Sequence, residues 1–268
     1  MANQLTTDPK LEFSAFMTSD AVKSRVNQLI GGEKGTRFIS TLVSAVKTNP
    51  TLANCEKGSL LNCALLAASL DLSPSPQLGQ FYLVPFKGVA TPQVGYRGYI
   101  QLAIRSGQYR RLNVMEVKEG ELLRYNPADE EIELKLMDDP EAREKAKTIG
   151  YYAMFEYTNG FRKAIYWSRA RAEAHGRKYS QSFSRDGSPW QAHFDAMAKK
   201  SLIRELLGKW GVMSIDMQTA IVKDAAVLDA QGEVAGYVDT PATPAPEAAG
   251  NADVAATGLN PAEAAIAG

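Results

Sequence analysis

The sequence predicts an α+β domain, a central antiparallel sheet with helices packed around it, and three observations predict it. Residues 149–167 form two strand-like runs around Asn159-Gly160, a dipeptide that suits the positive φ angles of a tight hairpin turn. Ser59 to Leu70 carries Leu60, Leu61, Leu65, Leu66 and Leu70, the density of a buried helix. Strand-like and helix-like segments follow one another without an internal repeat, which favours one mixed domain. An apolar share of 45% and a charged share of 22% over 268 residues suffice for one good core.

In chain order, residues 1–18 show no periodicity and read as a flexible N-terminal arm, with a core over 19–228. Ala21 to Ile30 and Thr36 to Lys47 predict helices, the second with Phe38, Leu42 and Val46 four residues apart. Asn49-Pro50 stops that helix, because a residue before proline avoids the helical region. The helix over Ser59 to Leu70 ends at Pro74-Ser75-Pro76. Gln80 to Phe86 and Thr91 to Tyr96 flank a Lys87-Gly88 turn and predict a hairpin. A helix over Gly98 to Ser106 and a strand over Tyr109 to Lys118 follow. Glu121 to Arg124 and Ile132 to Met137 are shorter strand candidates. Ile149 to Thr158 and Phe161 to Trp167 form the hairpin already described. Ser168 caps a helix running through His175, and Gly176 to Ser188 is a polar, basic loop. Pro189 opens a helix reaching about Lys209, and Ser214 to Leu228 is the last helix. Residues 229–268 are acidic and Ala/Pro-rich without a core-forming pattern, so a disordered C-terminal tail is expected.

The formal net charge of zero conceals a segregation of sign. The tail holds Asp229, Glu233, Asp239, Glu247, Asp253 and Glu263 and no Lys or Arg; the remaining chain has 30 basic and 24 acidic residues. Lys87 to Arg111 contains five cations and no acid, whereas Glu116 to Glu144 contains eleven carboxylates and four cations. Phe161 to Trp210 carries eleven cations against four acids. Such segregation is the electrostatic footprint of nucleic-acid binding, although a charge run is also how an ordinary solvated face looks.

Enzyme signatures fail in turn. Gly31-Gly32-Glu33-Lys34-Gly35-Thr36 lacks phosphate-loop spacing, and no dinucleotide fingerprint occurs. Only His175 and His193 are present, and His193-Phe194-Asp195 reads more simply as a surface pair than as metal ligands. The acidic stretch 129–141 reads as a solvated loop, with Mg²⁺ binding as its alternative. Cys55 and Cys63 lack metal-site spacing and suggest buried, reduced thiols of a cytoplasmic protein. No secretory signal and no membrane-length apolar run is seen.

The candidate binding residues cluster in two helices. Arg97, Gln101 and Arg105 share roughly an 80° arc, with Tyr99, Ile100, Leu102, Ala103 and Ile104 on the core side. Gly95 and Gly98 either let a phosphate approach a helix N-terminus or simply permit a tight strand-to-helix turn. Trp190, His193, Lys200 and Arg204 form a stripe on the later helix. Lys199 falls nearer its buried side, with Asp195 as a partner, so Lys200 and Arg204 are the stronger phosphate candidates. Lys87, Tyr96, Tyr109, Arg111 and Lys178 complete the set, because sequence-tolerant single-strand binding needs a cationic groove interleaved with aromatic faces.

These blocks resemble the RecT family of phage recombinases, ATP-independent single-strand annealing proteins. The resemblance runs from about Phe38 to Val222. It is carried by Asn49-Pro50-Thr51-Leu52, Leu78-Gly79-Gln80-Phe81-Tyr82-Leu83-Val84-Pro85-Phe86, Val94-Gly95-Tyr96-Arg97-Gly98-Tyr99-Ile100, Arg105-Ser106-Gly107-Gln108 and Trp190 through Trp210. Two positions depart: Gly211-Val212-Met213-Ser214 lacks a proline that members often carry, and Asp71 stands where a glycine commonly ends a helix. The resemblance implies a curved sheet and helix forming a narrow, positively charged groove. It further implies homo-oligomeric rings or helical filaments holding single-stranded DNA and an annealed duplex intermediate, with a phage exonuclease and a host single-strand binding protein as partners. No cofactor is expected, Mg²⁺ at most modulating DNA binding, and no membrane is involved. The alternatives are a passive single-strand protector and a metal nuclease using the acidic stretch.

Overall fold

The structure is a computed structural model that describes residues 13–238 except 130 and 181. The expectations for residues 1–12 and 239–268 lie outside the described residues. The expected arm is shorter than 18 residues, because Phe13–Met17 forms helix α1 with Phe16 and Met17 buried in the core. Helices α2 (Asp20–Ile30) and α3 (Gly32–Thr48) follow; α3 begins four residues earlier than its periodicity suggested and buries Leu42 and Val46. The Asn49-Pro50 break starts a new turn, α4 (Pro50–Ala53), whose first free N–H, on Thr51, is accepted by the Asn49 side chain at 3.2 Å.

Helix α5 (Lys57–Ser69) is buried nearly all round, as its leucine density requires. It closes in a Schellman motif: Leu72 N–H donates to Ala67 and Asp71 N–H to Ala68, with Asp71 left-handed at φ 49°. Aspartate thus fills the position where glycine is commoner. After a 3₁₀ turn over Pro76–Leu78 come β1 (Phe81–Phe86) and β2 (Val89–Val94), paired from Phe81↔Val94 to Phe86↔Val89. Lys87 and Gly88 both have positive φ, 46° and 82°, as a type I′ turn demands.

Helix α6 (Tyr96–Arg105) leads into β3 (Tyr109–Lys118), and a small hairpin follows, β4 (Leu122–Asn126) and β5 (Glu131–Leu134), then α7 (Pro140–Lys145). Strands β6 (Thr148–Tyr157) and β7 (Arg162–Ser168) complete a three-stranded antiparallel sheet in the order β3-β6-β7. The period of two divides β6 between two environments. Tyr151, Ala153 and Phe155 join the main core, whereas Tyr152 and Met154 face a second cluster with Val117 and Tyr166, against which Leu122, Tyr125, Ile132 and Leu134 pack. The acidic excursion therefore roofs the far face of the sheet. Its anchor is the fully buried Glu121, which accepts from Lys118 N–H, Met137 N–H and the Arg143 guanidinium. Burial alone would raise this carboxyl; the hydrogen bonds outweigh it and hold the group below its ordinary range.

Helix α8 (Arg169–Tyr179) is capped by Ser168 as expected and runs four residues past His175. The single helix expected after Pro189 is two, α9 (Pro189–Ala192) and α10 (Phe194–Trp210), separated at His193, whose φ of −140° is incompatible with a continuous helix. The last helix is likewise shorter than predicted. Helix α11 (Ile215–Lys223) is followed by a turn at Ala225 (φ 61°) and the strand pair β8 (Ala226–Leu228) and β9 (Val234–Tyr237). The ordered core so extends into what composition marked as tail. Buried Ala226 and Leu228 supply the apolar face, and Asp229 accepts from Gln231 N–H and Glu233 N–H to close the turn.

His175 lies between the Trp167 and Tyr179 rings, at centroid distances of 4.8 and 4.7 Å. Burial, outweighing the attraction of Glu205 and aided by Arg204, Arg171 and Lys178, pulls its pKa down to about 4. Neutral imidazole is the folded form, so its contribution to stability is complete above pH 6.5 and is lost as the pH falls from 6.5 towards about 4. Urea midpoints measured across that window are expected to decline less steeply in a His175→Gln variant than in the parent chain.

Candidate nucleic-acid interface

Two adjoining cavities of about 710 and 330 Å³ share Val84, Pro85, Gln93, Arg185, Pro189 and Met197, so they form one continuous cleft. The β1–β2 hairpin makes one wall. The other is the loop before α9, then α9 and the first turns of α10. Among the described residues lining the cleft are Lys87, Arg185, His193 and Lys200, and no carboxylate. Lys87, Arg185 and His193 are exposed. Tyr82 and Tyr96 add aromatic surface, and the buried Trp190 also lines the smaller cavity. A cleft with cations on its walls and no acid is suited to a polyanion and unsuited to an acidic partner.

Tyr96 joins the cleft to α6. Its ring lies 5.4 Å from Lys199 Nζ and 5.9 Å from the Arg97 guanidinium carbon, and its hydroxyl accepts from Arg97 Nε at 3.3 Å. Gly95 and Gly98 settle between their two readings by geometry. A Cβ on Gly95 would overlap the Gly79 carbonyl oxygen, and one on Gly98 the Gln80 carbonyl oxygen. Gly95 N–H donates to that Gln80 carbonyl at 2.9 Å. The glycines thus let α6 dock against the chain entering β1, which places Tyr96 at the cleft with Arg97 beside its ring.

Beneath the cleft lies a buried charge cluster. Asp224 is 5% exposed and accepts from Val94 N–H (2.9 Å), Tyr99 Oη (3.0 Å) and Lys200 Nζ (3.0 Å), with Arg204 Nε at 3.7 Å. Lys200 and Arg204, the stronger phosphate candidates by helix position, are therefore both committed to Asp224, and Arg204 also donates to Ile221 O. Lys200 is buried at 8% exposure. The stripe with Trp190 is broken by the helix interruption at His193. Trp190 is a wall of the core, 5% exposed against Phe183, Phe194 and Gly176, which leaves little face for a base.

The remaining candidates lie elsewhere. Lys199 donates to Glu116 at 2.8 Å, across to β3 rather than to Asp195. Asp195 instead pairs with Arg169 and Tyr151. Burial would raise the Glu116 carboxyl, but the bonds from Lys199 and Lys118 hold it below its ordinary range. Arg105 donates to the Leu70 and Asp71 carbonyls and so stabilises the end of α5. Gln101 is half-buried on the same helix, and Ile104, expected in the core, is 55% exposed. Tyr109 is structural: its hydroxyl accepts from Val212 N–H at 2.9 Å and its ring packs on Phe155 and Tyr157. Arg111 lies near Glu156 on the sheet, and Lys178 lies over the Tyr179 ring at the end of α8.

Residues 36–235 match the RecT family. The chain is 39% identical to the uncharacterized protein YqaK of Bacillus subtilis over 208 residues, covering 78% of this chain and 70% of that protein. It is 32% identical to protein RecT of Escherichia coli over 198 residues, 70% of each chain. The chain belongs to the RecT family. The family match takes in both walls of the cleft and ends inside β9.

Most of the blocks that carry the RecT resemblance contribute to this site, Arg105-Ser106-Gly107-Gln108 excepted. Leu78 to Phe86 and Val94 to Ile100 build the hairpin wall and the start of α6, and Trp190 through Trp210 builds the opposite wall. Sequence reasoning missed Arg185 and Tyr82. Arg185 was legible in the charge of the Gly176 to Ser188 loop but not in any periodicity, since a loop has none. Tyr82 was legible in the alternation of β1, which turns it away from the buried Phe81 and Leu83.

Three outcomes are expected. Gly98→Ala should lower unfolding stability by about 1–3 kcal/mol, the usual cost of forcing atoms into a packed backbone contact, read from urea midpoints. Asp224→Ala should cost about 3–5 kcal/mol by breaking the buried ion pair with Lys200. Adding Lys200→Met should recover part of that loss.

Proposed function

We propose that this chain binds single-stranded DNA in the cleft without sequence preference and anneals complementary strands without ATP. The observation that carries this is the acid-free cleft lined by Lys87, Arg185 and His193 beside Tyr82 and Tyr96. One strand lies along the cleft with its phosphates toward the cations, and Arg97 at the rim extends the track. Contacts to phosphate hold a strand irrespective of sequence and leave its base edges open. A second strand samples those edges, and pairing supplies the driving force, about 1.4 kcal/mol per stacked step. No nucleotide hydrolysis is needed for a reaction that runs downhill.

Family membership supports the recombination role. The passive protector has no separate support. Homo-oligomers with DNA along the assembly, an exonuclease that supplies single strands and a host single-strand binding protein remain part of the proposal, in a cytoplasmic setting. Mg²⁺ has at most a modulating role. Among the described residues no helix is long and apolar enough to cross a membrane.

The test uses labelled complementary oligonucleotides without ATP. Joining faster than the spontaneous rate is expected, and strands bound but never joined would identify a protector instead. Affinity for one strand should fall with salt at a log–log slope of about −0.7 per phosphate contact. Lys87→Ala combined with Arg185→Ala should flatten that slope and slow annealing together, while a salt-independent affinity would overturn the cleft reading.

A further inference from the structure

The described chain ends at the cleft. Val238 lines the smaller cavity together with Lys87, Arg185 and Trp190. Its position is fixed by its N–H, which donates to Ala225 O at 2.9 Å, while Ala225 N–H donates to Pro92 O on β2 at 2.8 Å. The next residue is Asp239. Residues 239–268 carry Asp239, Glu247, Asp253 and Glu263 and no Lys or Arg. A segment whose only charges are negative therefore starts at the mouth of a cleft whose described lining has no negative charge at all.

We propose that the cleft mouth is a docking surface for residues 239–268 of the same chain, which act as a tethered anionic competitor of the DNA strand. The inference rests on the cleft being the DNA-binding surface. Reach is no obstacle: Glu247 lies nine residues beyond Val238, at most about 30 Å along an extended chain. Tethering raises the segment's local concentration to about the millimolar range, so a weak contact suffices. Four carboxylates in 30 residues are sparse beside one phosphate per nucleotide. A long single strand displaces the segment, and short or weakly charged polyanions do not. The device filters for extended single strands.

The test keeps the full chain and neutralises the segment with Asp239→Asn, Glu247→Gln, Asp253→Asn and Glu263→Gln. A labelled peptide of residues 239–268 is titrated into this chain and followed by fluorescence anisotropy. Saturable binding is expected, weakened several-fold by Lys87→Ala with Arg185→Ala, and weakened by salt. No saturable binding up to about 1 mM, the concentration that tethering provides, overturns the proposal, as does equal binding by the cleft variant. In parallel, the neutralised chain should bind a short oligonucleotide several-fold more tightly than the parent at low salt and equally at high salt. Equal affinity at low salt overturns the proposal. If the peptide occupies the cleft while neither chain binds single strands, the docking stands and the DNA reading falls. Inhibition that varies with protein concentration would assign the contact to a second copy and overturn the intramolecular form.

Discussion

A single buried carboxylate holds this molecule's working parts in register. Asp224 lies just past the last helix and ties together the end of β2 through Val94, the middle of α6 through Tyr99, and α10 through Lys200 and Arg204. Those elements supply the floor and one end of the cleft. Water is largely excluded around Asp224 and Lys200, so removing either leaves the other's charge buried and poorly balanced, while Arg204 reaches the carboxylate from the exposed surface. That interdependence explains why Lys200, chosen on helix position as a ligand for phosphate, is held inside the frame. Tyr99 belongs to the same frame, and burial beside Asp224 drives its hydroxyl well above the ordinary phenol range.

Elsewhere, too, carboxylates pair with cations of the same chain, both buried and exposed. Glu116 takes Lys118 and Lys199, Glu121 takes Arg143, Glu156 takes Arg110, and Glu205 takes Arg171. The dense acidic excursion covers the sheet face remote from α10, where β4 and β5 pack on Tyr152 and Tyr166. Positive charge on the cleft walls is therefore not the outcome of a basic protein. It arises because the described residues lining the cleft include cations and no carboxylate, although the chain as a whole has zero net charge.

Much of the architecture was legible in one dimension. The two hairpins were marked by turn residues that tolerate positive φ, the helix starts by Ser168, Pro189 and Ser214, and α5 by its leucines. The misreadings have a common origin. The break at His193 and the early end of α11 lie in segments whose composition still suits a helix, and tertiary contacts decide there: Trp190 must turn into the core against Gly176 and Phe183, and Ala226 and Leu228 find a strand partner in β9. Local propensity is a weak force beside such burial. Composition likewise placed the start of the tail at residue 229, because the short β8–β9 hairpin gains its stability from packing that no local window contains.

By itself the sequence determined the class of fold, the segregation of charge and the family. Each depends on spacing and residue type along the chain, where periodicity and turn chemistry act. Only the tertiary structure decided which cations face the cleft and which are locked inside, that two glycines serve backbone docking, and that Val238, the last described residue, lines the cleft. Those outcomes depend on which distant groups share a low-dielectric interior and which remain in water, a partition made by packing in three dimensions.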